Sequence, residues 1–528
     1  MSRACPKGGA VEATQFVRPE VSRGRSRRPE QSSTALKGRT FLYKEEPLAN
    51  SDQPKRIKPP SGYHNGAEET GPRSSEFETE PTDPASAKKP ALDPVPMNLM
   101  EQIVDEVNME AAWKKVRSNR GAPGPDGITI EQFSETFHDI WPQLRQQLLE
   151  GTYRPSPARR KSIPKPDGSQ RHLGIPNVLD RLIQQAVLQI LTPIFDPEFS
   201  ESSFGFRPDR SAHQAIHLVQ THIRAGYRWC VNMDLSKFFD TVQHDVLMHR
   251  VGRKVRDKRL LRLIGRYLRA GVMLDTDFHP STKGTMQGGP LSPLLANILL
   301  DDFDKEMESR GHRFVRYADD FLVFTKTEKA AARVFGSVEI YLTTKLKLVV
   351  NHDKSSFQKT EATEFLGYCF RGFGGKLSVS DKNLKKFKRR VKEITRRKRG
   401  VSITSRLAEV RRYFQGWVGY FHFGLRKKQL QSLDKWVRRR IRSCYWKQWY
   451  RVRTRIKKLI KLGMPHDEAI SHGCSGRGPW VMSKSAAMHI ALGVDYLRQQ
   501  GLVSLEEIWS KFASKRGTAG CGPACPVV

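Results

Sequence analysis

Acidic residues are scarce in this chain. Over 528 residues, 55 Asp and Glu stand against 91 Lys and Arg, a formal charge of +36 at pH 7. So one-sided a balance argues for a polyanionic partner, nucleic acid first and an anionic membrane surface second. Long apolar runs are also missing. No stretch reaches the roughly 18 residues a membrane span needs, and no apolar signal segment follows the N-terminus. The expectation is a soluble protein of the bacterial cytoplasm with no membrane association. Cysteines number seven, odd and scattered, which excludes a disulfide framework and fits a reducing compartment. Cys521 and Cys525 form a C-x3-C pair, but no second close pair joins them to complete a zinc site. The GK[ST] of a phosphate-binding P-loop is absent as well, so an NTPase fits poorly.

A chain of this length exceeds one compact core, and two to four domains are expected. Residues 1–95, rich in Pro, Ser, Glu, Arg and Gly, show no sustained hydrophobic period and read as a disordered extension. Its run from Arg23 to Arg28 suits either a nucleic-acid contact or a solvated tail. Order is expected to begin near Met97, where Leu99, Ile103, Val104, Val107, Ala111, Ala112 and Val116 recur at helical spacing. A Gly/Pro loop follows, Asn119 to Ile128, whose Arg and backbone amides suit a phosphate backbone. A second helix is expected from Thr129 to Leu149, ending at Gly151. Pro166-Asp167-Gly168-Ser169 is a hairpin signal flanked by Lys165 and Arg171, and a buried helix is expected from Asn177 to Leu191. Strands alternating with covering helices over about 160–375 predict an α+β domain with a mostly antiparallel sheet. Among those strands are 348–355 and 365–370.

Two acidic features stand out from this background. Cys230-Val231-Asn232-Met233-Asp234 is an apolar strand that ends on an acid, with Phe238 and Phe239 facing inward in the helix that follows. Asp240 is read as a cap for the next helix. Arg313 to Phe324 contains Tyr317-Ala318-Asp319-Asp320, flanked by apolar residues as in two strands joined by a tight turn. Adjacent carboxylates at a buried turn repel one another and lose hydration, and a bound divalent cation usually offsets this. Asp301-Asp302, by contrast, reads as a pair on the solvated part of a helix. Were Asp234 brought beside Asp319 and Asp320, the three would suit two Mg²⁺ ions roughly 4 Å apart, the arrangement of in-line nucleotidyl transfer. Gln287, at the bend before Gly288-Gly289, is placed to read a nucleotide, and Leu291, Leu295, Ile298, Leu299, Phe303 and Met307 form the core face of the next helix.

The composition then shifts. Residues 382–461 hold 29 Lys and Arg against 3 Asp and Glu. Leu430, Leu433, Val437, Ile441 and Cys444 form a helical stripe, with Arg438, Arg439, Arg440 and Arg442 mostly on other faces. Trp417, Tyr420, Phe421, Trp436, Tyr445, Trp446 and Trp449 interleave with the charge, a pattern suited to stacking on RNA or single strands. A helical bundle with a basic face is predicted. Residues 462–515 read as a small helical module and 516–528 as a tail.

Taken together, these blocks resemble the reverse transcriptase/maturases encoded by group II introns. The resemblance is carried, in the family's order, by the Asn119–Ile128 loop, the Pro164–Pro176 block, Phe204-Gly205-Phe206-Arg207-Pro208 and the Asp234 strand. Gln287 to Pro293, Tyr317-Ala318-Asp319-Asp320 and Phe365 to Tyr368 complete it. It implies a right-hand polymerase with fingers and palm over 96–375 and an α-helical thumb, or X domain, over 376–461. A DNA-binding segment over 462–515 is implied as well. It further implies catalytic acids Asp234, Asp319 and Asp320. These would hold two Mg²⁺ ions, or Mn²⁺ in their place, with the backbone carbonyl of Leu235. Lys165 and Arg171 would grip the triphosphate, Gln287 would contact the nucleotide, Phe239 would exclude a 2′-hydroxyl, and Lys354 would approach the triphosphate. RNA template, DNA primer, target DNA and dNTPs would be the partners. The family's HNH endonuclease is not expected here. Two other readings stay open on the sequence: a non-catalytic RNA-binding splicing factor, and a domesticated reverse transcriptase in phage defence or diversity generation.

Overall fold

Apolar residues that alternate along three neighbouring strands organise the protein into two cores. The computed structural model describes residues 98–514 apart from 165–167, 169, 275 and 276. The expected extension over 1–95, the tail with Cys521 and Cys525, and Lys165 therefore lie outside the described residues. The central sheet has the order β6-β7-β3-β8, from β6 (Arg313–Tyr317), β7 (Asp320–Thr325), β3 (Trp229–Met233) and β8 (Ser356–Lys359), every pair antiparallel. Val231, Met233, Phe314, Phe321 and Val323 face one core, and Cys230, Val315, Leu322 and Phe324 face the other. This period of two explains why Phe321-Leu322-Val323-Phe324 is apolar without a break: both faces are covered. Each such side chain contributes about 1.5–3 kcal/mol on burial.

The first core collects helices Val178–Phe195, Lys258–Arg269, Ser292–Ser309 and Glu328–Thr344. A second sheet, ordered β2-β1-β4-β5, joins β1 (Ala158–Pro164), β2 (Gln170–Ile175), β4 (Val272–Leu274) and β5 (Asp277–His279). In it β1 pairs with β2 as the expected hairpin, and only β1 and β4 run parallel. A third sheet pairs β9 (Glu364–Phe365), β10 (Tyr368–Arg371) and β11 (Lys376–Val379). The second core continues from the central sheet into helices Asp381–Ile394, Ile403–Phe421, Lys427–Gln448 and Val452–Lys461 and the short helices that follow.

Several local expectations are corrected. The first helical stretch is two helices, Leu99–Ile103 and Glu106–Ser118, because Asp105 turns back to accept from the Val107 N–H (3.1 Å) and starts a new helix. Val107 is consequently exposed. Residues 348–355 form a loop with one isolated bridge, since the strand starts at Ser356. Residues 365–370 are two strands, because Leu366 and Gly367 both take positive φ (49° and 81°) and reverse the chain. Asp240 does not cap the next helix: His244–Val251 has Gln243 at its N-cap. Asp301 is buried, only 8 % exposed, and Asp302 pairs with Arg250 and Arg253. The interleaved aromatics are mostly core, with Trp417, Phe421, Tyr445, Trp446 and Trp449 all buried. Arg442 is also buried, donating to the Leu492 carbonyl (2.9 Å). The sequence pattern of aromatics among cations reflects helices whose large rings pack inward while long basic stems line the other faces.

Candidate active site

The ends of β3 and β7 bring the acids together. Met233 pairs with Phe321, so one step further along the register Asp234 faces Asp320. Directly opposed residues on antiparallel strands have Cβ atoms about 4.5–5.5 Å apart. Tyr317 pairs with Asp320, leaving Ala318 and Asp319 as a two-residue turn. Asp234 is held by the loop that sequence patterning read as a strand. The Asn351 amide donates to its carboxylate (2.9 Å), the Asn351 backbone N–H donates to its carbonyl (2.8 Å), and its own N–H donates to the Ser355 hydroxyl (3.1 Å). Leu235 makes the isolated bridge to Val350 and is buried.

The turn is held from behind by a network that sequence reasoning missed. Ala318 has φ 59°, a conformation an L-residue adopts only when its surroundings fix it. The Arg316 guanidinium donates to the Ala318 carbonyl (3.0 Å), to the Asn297 amide oxygen (2.9 Å) and to both oxygens of Asp304. Arg316 and Asp304 are both 0 % exposed. Asn297 in turn donates to the carbonyl of Gly205 (2.9 Å). Gly205 lies so close that a Cβ there would meet the Ala318 nitrogen at 2.2 Å, so no larger residue fits. The signal was present in the sequence as a cation inside an apolar strand, Arg316, and an acid on an apolar helix face, Asp304; buried charges need partners.

Electrostatics mark the site. Burial raises the Asp319 carboxyl above the ordinary carboxylate range; Asp234 adds to the rise, while Arg171 and Arg316 oppose it. Asp320 is pushed up to about 6, first by desolvation and then by Asp319 and Asp234. The Asp320 side chain keeps contact with solvent, yet the protein packed around its carboxyl withdraws much of that water. None of the three acids makes an ion pair among the described residues. No three or more His, Cys, Asp or Glu there converge as a ready-made metal cage either. The donor set is nonetheless hard carboxylate oxygen, the type Mg²⁺ takes, and Arg171 and Arg316 offset its charge only in part, so a cation would offset the rest.

Of the other expected site residues, Arg171 acts on Asp319, and Gln287, Phe239 and Lys354 are tied to neighbouring loops. The Arg171 Nε donates to the Gln287 side-chain oxygen (3.0 Å), joining β2 to the Gly-rich loop. The Gly174 N–H donates to the Gln287 carbonyl (2.8 Å), and at Gly288, φ 122°, a Cβ would meet the Gly174 carbonyl oxygen at 2.4 Å. Phe239 is half-buried, and its carbonyl accepts from the N–H of Thr285 (2.6 Å), two residues before Gln287. Lys354 sits exposed in the turn after Asn351, whose carbonyl accepts the Lys354 N–H (3.2 Å). A separate cleft of about 470 Å³ lies at the far end of the β6–β7 hairpin, lined by Tyr227, Arg313, Lys326 and Arg333 and by none of the acids.

Comparison with known proteins decides the family. Residues 163–370 match the family described as reverse transcriptase (RNA-dependent DNA polymerase), and residues 384–463 match the group II intron maturase-specific domain. Protein YkfC of Escherichia coli K12 is 34 % identical over 311 residues, covering 51 % of this chain and 82 % of that protein. The chain belongs to the group II intron reverse transcriptase/maturase family. The group II intron-encoded protein LtrA of Lactococcus lactis is 31 % identical over 329 residues, 49 % of this chain and 54 % of LtrA, so the match spans about half of that relative. Among solved structures, a partial Cas6-RT-Cas1–Cas2 complex aligns over 48 % of this chain and 43 % of its own, at 25 % identity and a TM-score of 0.31. In this member of the family, the maturase-specific match coincides with the four long basic helices between Asp381 and Lys461. No helix among the described residues is long and apolar enough to cross a membrane.

Proposed function

We propose that the chain is an RNA-directed DNA polymerase that copies group II intron RNA and, through its basic helices, assists splicing and mobility of that intron. The observation that supports this reading is the strand register that sets Asp234 opposite Asp320 beside the Asp319 turn, together with the Arg171–Gln287 pair. Residues 96–375 act as fingers and palm, 376–461 as thumb, and 462–515 as a segment for target DNA. Asp234, Asp319 and Asp320, with the Leu235 carbonyl, would hold two divalent ions, Mg²⁺ or Mn²⁺ in its place. When bound, such ions would supply charge neutralisation and would acidify the primer hydroxyl. The chain's own residues do the positioning. Arg171, with Lys165, neutralises the triphosphate so that pyrophosphate leaves in line as the 3′-oxygen bonds to the α-phosphorus. Gln287 orients the nucleotide from the loop that β2 fixes, and Lys354 approaches the phosphates from the turn beyond Asn351. The half-buried Phe239 ring lies under the sugar and leaves no room for a 2′-hydroxyl, favouring dNTPs.

The test is primer extension on an RNA template with dNTPs and Mg²⁺. The parent chain is expected to extend the primer, and Asp319→Asn to lose extension by several orders of magnitude while still assisting splicing. Extension that survives Asp319→Asn sinks the metal assignment. Splicing assistance from a parent chain that makes no DNA favours a non-catalytic RNA-binding splicing factor instead.

A further inference from the structure

The residue that follows Gly205 is out of place by every local rule. Phe206 takes φ 60°, a left-handed conformation that a bulky L-residue adopts only under constraint. Its ring is 52 % exposed, so burial does not compensate the strain. The surroundings impose it from both sides. Gly205 is pressed against the Ala318 turn. Arg207 is clamped by the Asp196 carboxylate (2.8 Å), the Ser200 carbonyl (2.6 Å) and the Ser203 carbonyl (2.9 Å). Strain of this kind, kept beside acids that carry chemistry, points to a use for the side chain it displays.

Phe206 lines a cleft of about 610 Å³ together with Leu188, Pro193, Pro208, Leu294 and Gln185. None of the acids lines the cleft, but its lining residues adjoin two features near the candidate site. One is the Gly205–Ala318 contact behind the acids; the other is the helix that carries Leu294, which opens after the Gln287 loop. Arg207 and Asp196, which also line it, neutralise each other. The remaining walls mix apolar side chains with the Gln185 and Gln189 amides, the Thr192 hydroxyl and the Lys115 ammonium, which suits the face and edge of a flat heterocycle with a cation at hand for its phosphate, and the volume is ample for one. On a chain of charge +36, the heterocycle most available next to a polymerising site is a base of the bound strand.

We propose that Phe206 is a nucleobase platform: its cleft takes an unpaired base of the nucleic-acid strand that enters the site. This rests on the polymerase reading for which strand enters, but its test needs no catalysis. The full chain is titrated with a fluorescent primer–template duplex bearing an unpaired 5′ overhang, made with normal or abasic overhang nucleotides, in RNA and DNA versions, and with a blunt duplex. The parent chain is expected to bind the base-bearing overhang about 5- to 150-fold more tightly than the abasic one, the span that stacking of one base on an aromatic ring gives. Phe206→Gly is expected to lose that difference and leave blunt-duplex affinity unchanged, while its melting temperature stays the same or rises, since glycine accepts the positive φ. Phe206→Trp should restore the difference. The RNA and DNA arms tell which strand supplies the base. Indifference of the parent chain to abasic sites overturns the proposal, as does a base preference that survives Phe206→Gly. A fall in melting temperature together with binding also overturns it, by marking the ring as a structural prop. A chain that shows the base preference yet extends no primer supports the cleft and refutes the polymerase reading.

Discussion

Asp304→Asn tests whether the buried guanidinium behind the turn sets the position of the acids. The substitution preserves shape but leaves Arg316 without its countercharge. Both partners are 0 % exposed, so water cannot replace the lost carboxylate. Removing one partner of such a pair costs about 3–5 kcal/mol. Against a typical total of about 5–15 kcal/mol, the variant should still fold at room temperature with a much lower denaturant midpoint and an unchanged slope. The turn is affected as well, because Arg316 is the donor that fixes the Ala318 carbonyl (3.0 Å). A misplacement of about 1 Å at reacting groups costs on the order of 10²-fold in rate. The informative partner is Arg316→Met combined with Asp304→Leu. Apolar replacement of a whole buried pair is neutral or stabilising by about 1–4 kcal/mol, so stability should return. The anchor for Ala318 does not return with it, so primer extension, measured under conditions where both proteins are folded, should stay low. The reasoning fails if Asp304→Asn lies within about 1 kcal/mol of the parent, or if the double variant extends primers at the parent rate.

Three further outcomes follow from the electrostatics and geometry of the site. Asp320 has a folded pKa of about 6 against an ordinary 3.8, so between those values the folded state keeps a proton that the unfolded chain has released. Its contribution to metal-free stability therefore falls as pH rises through that window, and melts compared across it should show Asp320→Asn gaining on the parent; a gap that narrows instead refutes the assignment. With Mg²⁺ present, binding needs the carboxylate, so primer extension should decline below about pH 6 and recover with added Mg²⁺. Gly205→Ala puts a methyl 2.2 Å from the Ala318 nitrogen and should destabilise the fold by about 1–3 kcal/mol and depress extension, readable by melting and by primer extension on one preparation.

Much of the site was legible because its chemistry is written in residue types. A strand ending on Asp234, a turn carrying Asp319-Asp320, and Gln287 before two glycines are local features; the structure sets Asp234 opposite Asp320 and links Gln287 to Arg171, which acts on Asp319. The errors share a cause. Helical spacing does not say where a side chain such as Asp105 will interrupt the period, and the β-branched Val349 and Val350 are compatible with a loop when its backbone is tied to Asp234. The aromatics of the basic helices carried the composition of an RNA-stacking surface, yet most of them fill the second core.

The sequence by itself determined the charge, the order of the motifs and the identity of the acids, because these depend on residue type and local spacing. Only the tertiary structure decided what fixes those acids in place. The Asn351 contact with Asp234, the Asp304–Arg316–Asn297 network and the close approach of Gly205 to Ala318 join residues separated by 12 to 117 positions. Each is selected by the cost of burying an unpaired polar group or of overlapping two backbones. That cost exists only once the chain has packed.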